Sequence, residues 1–122
     1  MAKICYVSGS NGLALALADE GQMNWSTAIS TCAAHTPAFT GGTWKLASRD
    51  EWNNMITAAG SYTDLRDGFT SVGGTNMQSD NYWSSTEYGS GLAAYYFKFG
   101  SGDREDVESK DNGYYVRSAL AF

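Results

Sequence analysis

Apolar residues follow a helical period in two stretches of the first half of this 122-residue chain and a strand period over its last third. Trp25, Ala28, Ile29, Cys32 and Ala33 fall at i, i+3, i+4, i+7 and i+8, one stripe of a helix, with Asn24 as N-cap and Pro37 beyond its end. Ser48-x-x-Glu51 is a capping box, followed at helical spacing by Trp52, Met55, Ile56 and Ala59 and stopped by Gly60. Each helix has a single apolar stripe, so each must lie against something larger, which a sheet supplies.

Strands flank these helices. Residues 4–7 read as a short strand, with Ser8 to Gly12 as the turn and Asn11-Gly12 as its strongest hairpin dipeptide. Leu13, Leu15 and Leu17 alternate with small alanines, a strand buried on one face and closely covered on the other. Residues 61–80 show no period, and Leu65, Phe69, Val72 and Met77 are available to pack them. Beyond that, residues 82–86 form a strand. In the next, Tyr95, Phe97 and Phe99 point to the core while Tyr96 and Lys98 point out. A polar ribbon runs through 103–109, and Val116 to Phe122 closes the chain as a terminal strand. The expected fold class is α+β, as one domain over residues 1–122 with two helices packed on antiparallel sheets.

Composition excludes several functions. The net charge of −5 argues against nucleic acid and anionic membranes as partners, and no apolar run approaches the roughly 20 residues of a membrane span. The first five residues hold no signal-peptide core, so either the chain is not exported by that route or it is a domain of a longer protein. With one histidine, His35, a multi-histidine metal site is excluded and no catalytic triad is evident. Cys5 and Cys32 have neither zinc nor CxxC spacing. They could bond to each other or serve as two small buried hydrophobes.

Three motifs carry a resemblance. Trp44-x-Leu46-x-Ser48-x-x-Glu51-Trp52, then Tyr82-Trp83-Ser84-Ser85-Thr86-Glu87, then Val116-Arg117 shortly before Phe122 resemble the C-type-lectin-like major paralogous domain of Fibrobacter and Bacteroides proteins. The same pattern occurs in the variable proteins of diversity-generating retroelements, whose C-terminal stretch is hypermutated into new ligand-binding surfaces. The resemblance covers about residues 12–122. It departs at Ala47, where the family usually has Pro, and at Tyr95, where Trp is common. It implies paired N- and C-terminal strands, with residues 13–18 beside 116–122. The Glu-Pro-Asn and Trp-Asn-Asp calcium signatures of sugar-binding lectins are absent, so calcium-dependent sugar binding is not implied. Enzymes that make formylglycine share the fold class but need reactive cysteines in the C-terminal half, where this chain has none.

Residues 79–115 hold six of the eight tyrosines, and Tyr, Ser, Gly, Asn and Asp fill 23 of the 37 positions. That is the composition of a paratope, rigid aromatic area with adaptable polar contacts. It is also that of ordinary turns with half-buried tyrosines. With the resemblance, a binding face over about residues 80–115 is the expected reading. Trp83 is assigned to the core, Glu87 and Lys110 to structural polar positions, and Arg117 to a buried hydrogen-bond anchor. The expected ligand contacts are Tyr88, Ser90, Tyr96, Lys98, Ser101, Asp103, Glu105, Asp106, Glu108, Asp111, Asn112, Tyr114 and Tyr115. The acidic run from Asp103 to Asp111 fits no calcium loop and contains Arg104 and Lys110, so it reads as a solvated face without a metal. The expectation is therefore a binding domain without cofactor or catalysis. It would meet a protein or glycan target at a bacterial cell surface or on a phage particle. A structural or adhesin module of a surface protein is the alternative.

Overall fold

In the computed structural model, which describes residues 2–122, nine strands and three helices follow one another. The order is β1 (Ala2–Ser8), β2 (Asn11–Ala16), β3 (Gly21–Met23), α1 (Trp25–Ala33), β4 (Thr43–Lys45), α2 (Arg49–Ala59) and α3 (Tyr62–Arg66). After a 3-10 turn at Thr70–Val72 come β5 (Asn81–Tyr88), β6 (Ala93–Lys98), β7 (Arg104–Ser109), β8 (Tyr114–Val116) and β9 (Ala119–Ala121). They form a four-stranded sheet, β1-β2-β9-β4, and a five-stranded sheet, β3-β8-β5-β6-β7. Pairing is antiparallel except where β5 meets β8, parallel at Tyr82 and Tyr115. The fold is α+β, as expected.

Both long helices begin where local chemistry dictates. The Asn24 side chain accepts from the Thr27 amide and caps α1. Ser48 and Glu51 make the reciprocal pair of capping bonds on α2, which ends at Gly60. Helix α2 then inserts Trp52, Met55 and Ile56 between the sheets, against Leu13 and Leu15 of β2 and Tyr82, Phe97 and Phe99 of β5 and beyond. Helix α1 covers the opposite face of the five-stranded sheet, where Ala28 and Cys32 meet Leu46, Trp83, Ala94 and Val116. The alanines of β2 face a third cluster with Trp44 and Leu120, so β2 is buried on both faces.

The second strand and the last, β2 and β9, are neighbours, which is the pairing of residues 13–18 with 116–122 that the resemblance implies, here confined to 13–15 and 119–121. Leu13, Ala14 and Leu15 pair with Ala121, Leu120 and Ala119, and the backbones of Gly12 and Phe122 bond reciprocally at 2.8 and 3.0 Å.

Four expectations need correction. The first hairpin turns two residues earlier than the Asn11-Gly12 dipeptide: Ser8 pairs with Asn11, leaving Gly9 and Ser10 as the loop, with Gly9 at φ 63° in the left-handed region. Gly12 lies within β2 instead, because the Phe122 ring rests where a side chain there would stand. Within 61–80 the irregular stretch contains α3, and Leu65, Phe69 and Met77 are buried, but Val72 is 49% exposed and takes no part in the packing. The terminal strand is two strands in different sheets. Between β8 and β9 lie the buried Arg117 and Ser118, whose side chains donate to the Ala16 carbonyl and to Glu20 at the seam where one ladder ends and the other starts.

Neither cysteine is bonded. Cys32 is buried on the inward face of α1, and Cys5 packs at the edge of the main core, in a different cluster.

Candidate recognition face

The five-stranded sheet sorts the expected contact residues by strand parity, because directly opposed residues share a face. Trp83 opposes Tyr96, which opposes Asp106; Lys98 opposes Arg104, and Ala94 opposes Glu108. Tyr114 joins this set from β8. Its ring centre lies 4.8 Å from those of both Tyr96 and Trp83. Tyr96, Lys98, Asp106, Glu108 and Tyr114 therefore occupy one face, beyond the part that α1 covers. Trp83 anchors the set from below, its indole N–H donating to the Met23 carbonyl at 3.0 Å.

Tyr96 departs from expectation. It is on the face that alternation predicts, yet only 7% exposed, wedged among Trp83, Tyr114 and Ala94. The sheet is covered by α2 on one side and over part of the other by α1, so period two separates its faces without separating interior from solvent. Burial, and then the Asp106 carboxylate, raise the Tyr96 pKa. Tyr114 is raised by burial, then by Tyr96 and Glu108. Both phenols thus keep their protons at neutral pH and can donate as well as accept. Asp106 is held below the usual carboxylate range by the Val107 amide and by Arg104, whose Nε lies 3.3 Å away.

The reverse face holds Tyr88 and Glu105. Arg49, at the start of α2, lays its guanidinium 4.3 Å from the Tyr95 ring centre and pairs with Glu105. Asn53, one turn on, donates to the same carboxylate at 3.2 Å. Tyr88 meets Tyr95 edge-on at 5.6 Å. Arg49, Asn53 and Tyr95 were not among the expected contacts, and no spacing joins a helix start to strands about 50 residues on.

The loops divide between the two ends of the sheet. Ser90 is in the β5–β6 hairpin loop. The amide of Lys110 donates to the Leu92 carbonyl at 3.2 Å, tying that loop to the β7–β8 connection with Asp111 and Asn112. The Lys110 ammonium reaches Glu87 at 2.5 Å and sits 4.1 Å from the Trp25 ring centre, so this pair is structural as read. Ser101 and Asp103 lie at the other end, where Asp103 accepts from the Gly100 amide at 2.5 Å.

Tyr115 is a second correction. Its ring stacks on Tyr82 at 5.5 Å and packs against the main core, facing inward. Two adjacent tyrosines on a strand must face opposite ways, and here Tyr114 takes the outer one.

The acidic run is dispersed by the same parity, with Glu105 on one face, Asp106 and Glu108 on the other, and Asp103 and Asp111 at opposite ends. Among the described residues no three His, Cys, Asp or Glu side chains converge as a metal site would require. Arg117 is the anchor the sequence predicts: it is fully buried and donates to Asp19, the Ala16 carbonyl and the Thr75 carbonyl.

None of the curated proteins compared matches the chain. A family model does, over residues 6–119, spanning both sheets and all three helices. With its two mostly antiparallel sheets, its three helices and β2 paired to the last strand, the chain belongs to the family of the Lcl C-terminal domain, a C-type-lectin-like domain.

Proposed function

We propose that this domain recognises a protein or glycan ligand through the outer face of its five-stranded sheet and catalyses no reaction. The carrying observation is the packing of Tyr114 and Tyr96 on the fixed Trp83, ringed by Lys98, Arg104, Asp106 and Glu108 from two neighbouring strands. An aromatic floor held by a buried indole loses little entropy on binding, and a charged rim selects the partner. The hairpin loop with Ser90 and the connection with Asp111 and Asn112 extend the face at one end. Family membership supports a binding role for a C-type-lectin-like domain.

The finer reading is a diversified receptor-recognition domain at a bacterial cell surface or on a phage particle. Its support is the paratope-like composition of residues 79–115. Solvent-facing positions there can change while Trp52, Trp83, Phe97 and Phe99 hold the fold, since exposed substitutions usually shift stability by under about 0.5 kcal/mol.

Two experiments test these readings. An adenine-rich near-copy of the DNA for residues 80–122 beside a reverse transcriptase gene supports diversification, and its absence from the source genome removes that reading. For the face itself, the domain is screened against glycan and bacterial surface-protein arrays. Tyr114→Ala should weaken any captured ligand roughly tenfold with the fold retained. Ligands held equally well by Tyr114→Ala and Lys98→Glu would move the site elsewhere.

A further inference from the structure

The outer side of the four-stranded sheet carries an apolar cavity of about 470 Å³, remote in the fold from the face described above. Ile4 and Ala14 come from β1 and β2, and Leu120 from β9. Trp44 of β4 and Phe122 stand as walls, and the loop after α1 closes one side with Phe39. None of the side chains of the ten described residues lining it is charged. The one indole N–H in its wall is already used, since Trp44 donates to the Pro37 carbonyl at 3.0 Å, which also fastens the loop. The Phe122 wall depends on Gly12, where a Cβ would overlap the ring. Two rim side chains are left in water at a cost, Ile4 at 60% and Phe39 at 52% exposed.

Size and charge decide what fits. The volume is that of a small-molecule site, for which roughly 300–1,000 Å³ is usual. Ten lining residues fall well short of the roughly 20–30 per side of a stable protein interface. A wall without charge or free donor desolvates a charged ligand without compensation. Three aromatic side chains offer edges and faces to a ring. We propose that this cavity is a second binding site, independent of the sheet face, for a small uncharged molecule bearing an aromatic ring.

The test is a fluorescence titration of the whole chain with the neutral probe N-phenyl-1-naphthylamine. One saturable site is expected. Ile4→Asp and Phe39→Asp, both at exposed positions that should leave melting unchanged, should each weaken binding roughly tenfold or more. Val7→Asp, equally exposed at 58% on the same strand but outside the cavity lining, should bind as the parent does. Tyr114→Ala should also bind the probe normally, which separates this site from the sheet face. Absence of saturable binding, or equal binding by Ile4→Asp, Phe39→Asp and the parent, overturns the proposal. So does a parent that sediments as a dimer while Ile4→Asp sediments as a monomer, because a second copy would then be the occupant.

Discussion

Arg117 and Asp19, 98 positions apart, form an ion pair in which the fully buried guanidinium donates from Nε to the half-buried carboxylate at 2.7 Å. The pair is the centre of a network. Tyr82 donates its hydroxyl to the other Asp19 oxygen at 2.8 Å and accepts from the Gln78 amide at 2.7 Å. The remaining Arg117 donors reach carbonyls of β2 and of the segment before β5, and the guanidinium lies 4.5 Å from the Phe69 ring centre. One side chain thus joins the strand seam to the irregular stretch.

Removing one partner should therefore be severe. Asp19→Ala leaves a buried guanidinium without its counter-charge and should cost about 3–5 kcal/mol. Denaturant unfolding measures it. A loss below about 1 kcal/mol would mean that water reaches the site and the network is not holding the seam.

The tyrosines should separate by burial. Trp83→Ala should cost about 3–5 kcal/mol through the cavity it opens, and Tyr96→Ala a loss of the same order, about 3 kcal/mol. Tyr88→Ala, at 49% exposure, should stay under about 1 kcal/mol. Paired melting curves check this, and a Tyr96→Ala variant as stable as the parent would place that ring in solvent after all.

The α2 cap should give the protein part of its acid sensitivity. Burial acts to raise the Glu51 pKa, but the Ser48 amide and the Lys45 ammonium outweigh it, and the carboxyl sits below its ordinary 4.5. A carboxyl with a depressed folded pKa contributes stability above the unfolded value and loses it as pH falls through the folded value. Unfolding free energy should thus decline below about pH 4.5, and Glu51→Gln should flatten part of that decline. Ser48→Ala should cost about 1 kcal/mol at neutral pH. An unchanged acid profile in Glu51→Gln would assign the sensitivity to other carboxylates.

Both thiols should be slow to react in the native state. Burial pushes Cys32 up to about 11, and raises Cys5 as well, so little thiolate exists at neutral pH. Ellman's reagent should count two thiols in denaturant and label neither quickly in buffer. A count of zero in denaturant would mean a disulfide, which the separate placement of the two residues does not provide.

Local chemistry was legible wherever one stretch of chain contains its own partners. Ser48 and Glu51 cap each other across three residues, Asn24 caps α1, and the Leu–Ala alternation of residues 13–16 marks a strand covered on both sides. Arg117 between apolar neighbours was readable as an anchor because a buried guanidinium must find acceptors, though Asp19 as its partner was not. Only the tertiary structure decided the rest. The three-residue strands β3 and β4 exist because β8 and β9 pair with them, and three residues carry too little period to read. Parity placed Tyr96 and Lys98 on one face, but it cannot say which part of that face a helix will cover. That depends on where α1 docks, which buries Trp83 and hems in Tyr96 while leaving Lys98 at the rim. Tyr115 was assigned outward by composition and turned inward by its register beside Tyr82, a contact between strands more than 30 residues apart. Sequence period determines which side chains share a face; which faces meet water is decided by the long-range packing of sheets and helices, whose partners no local pattern names.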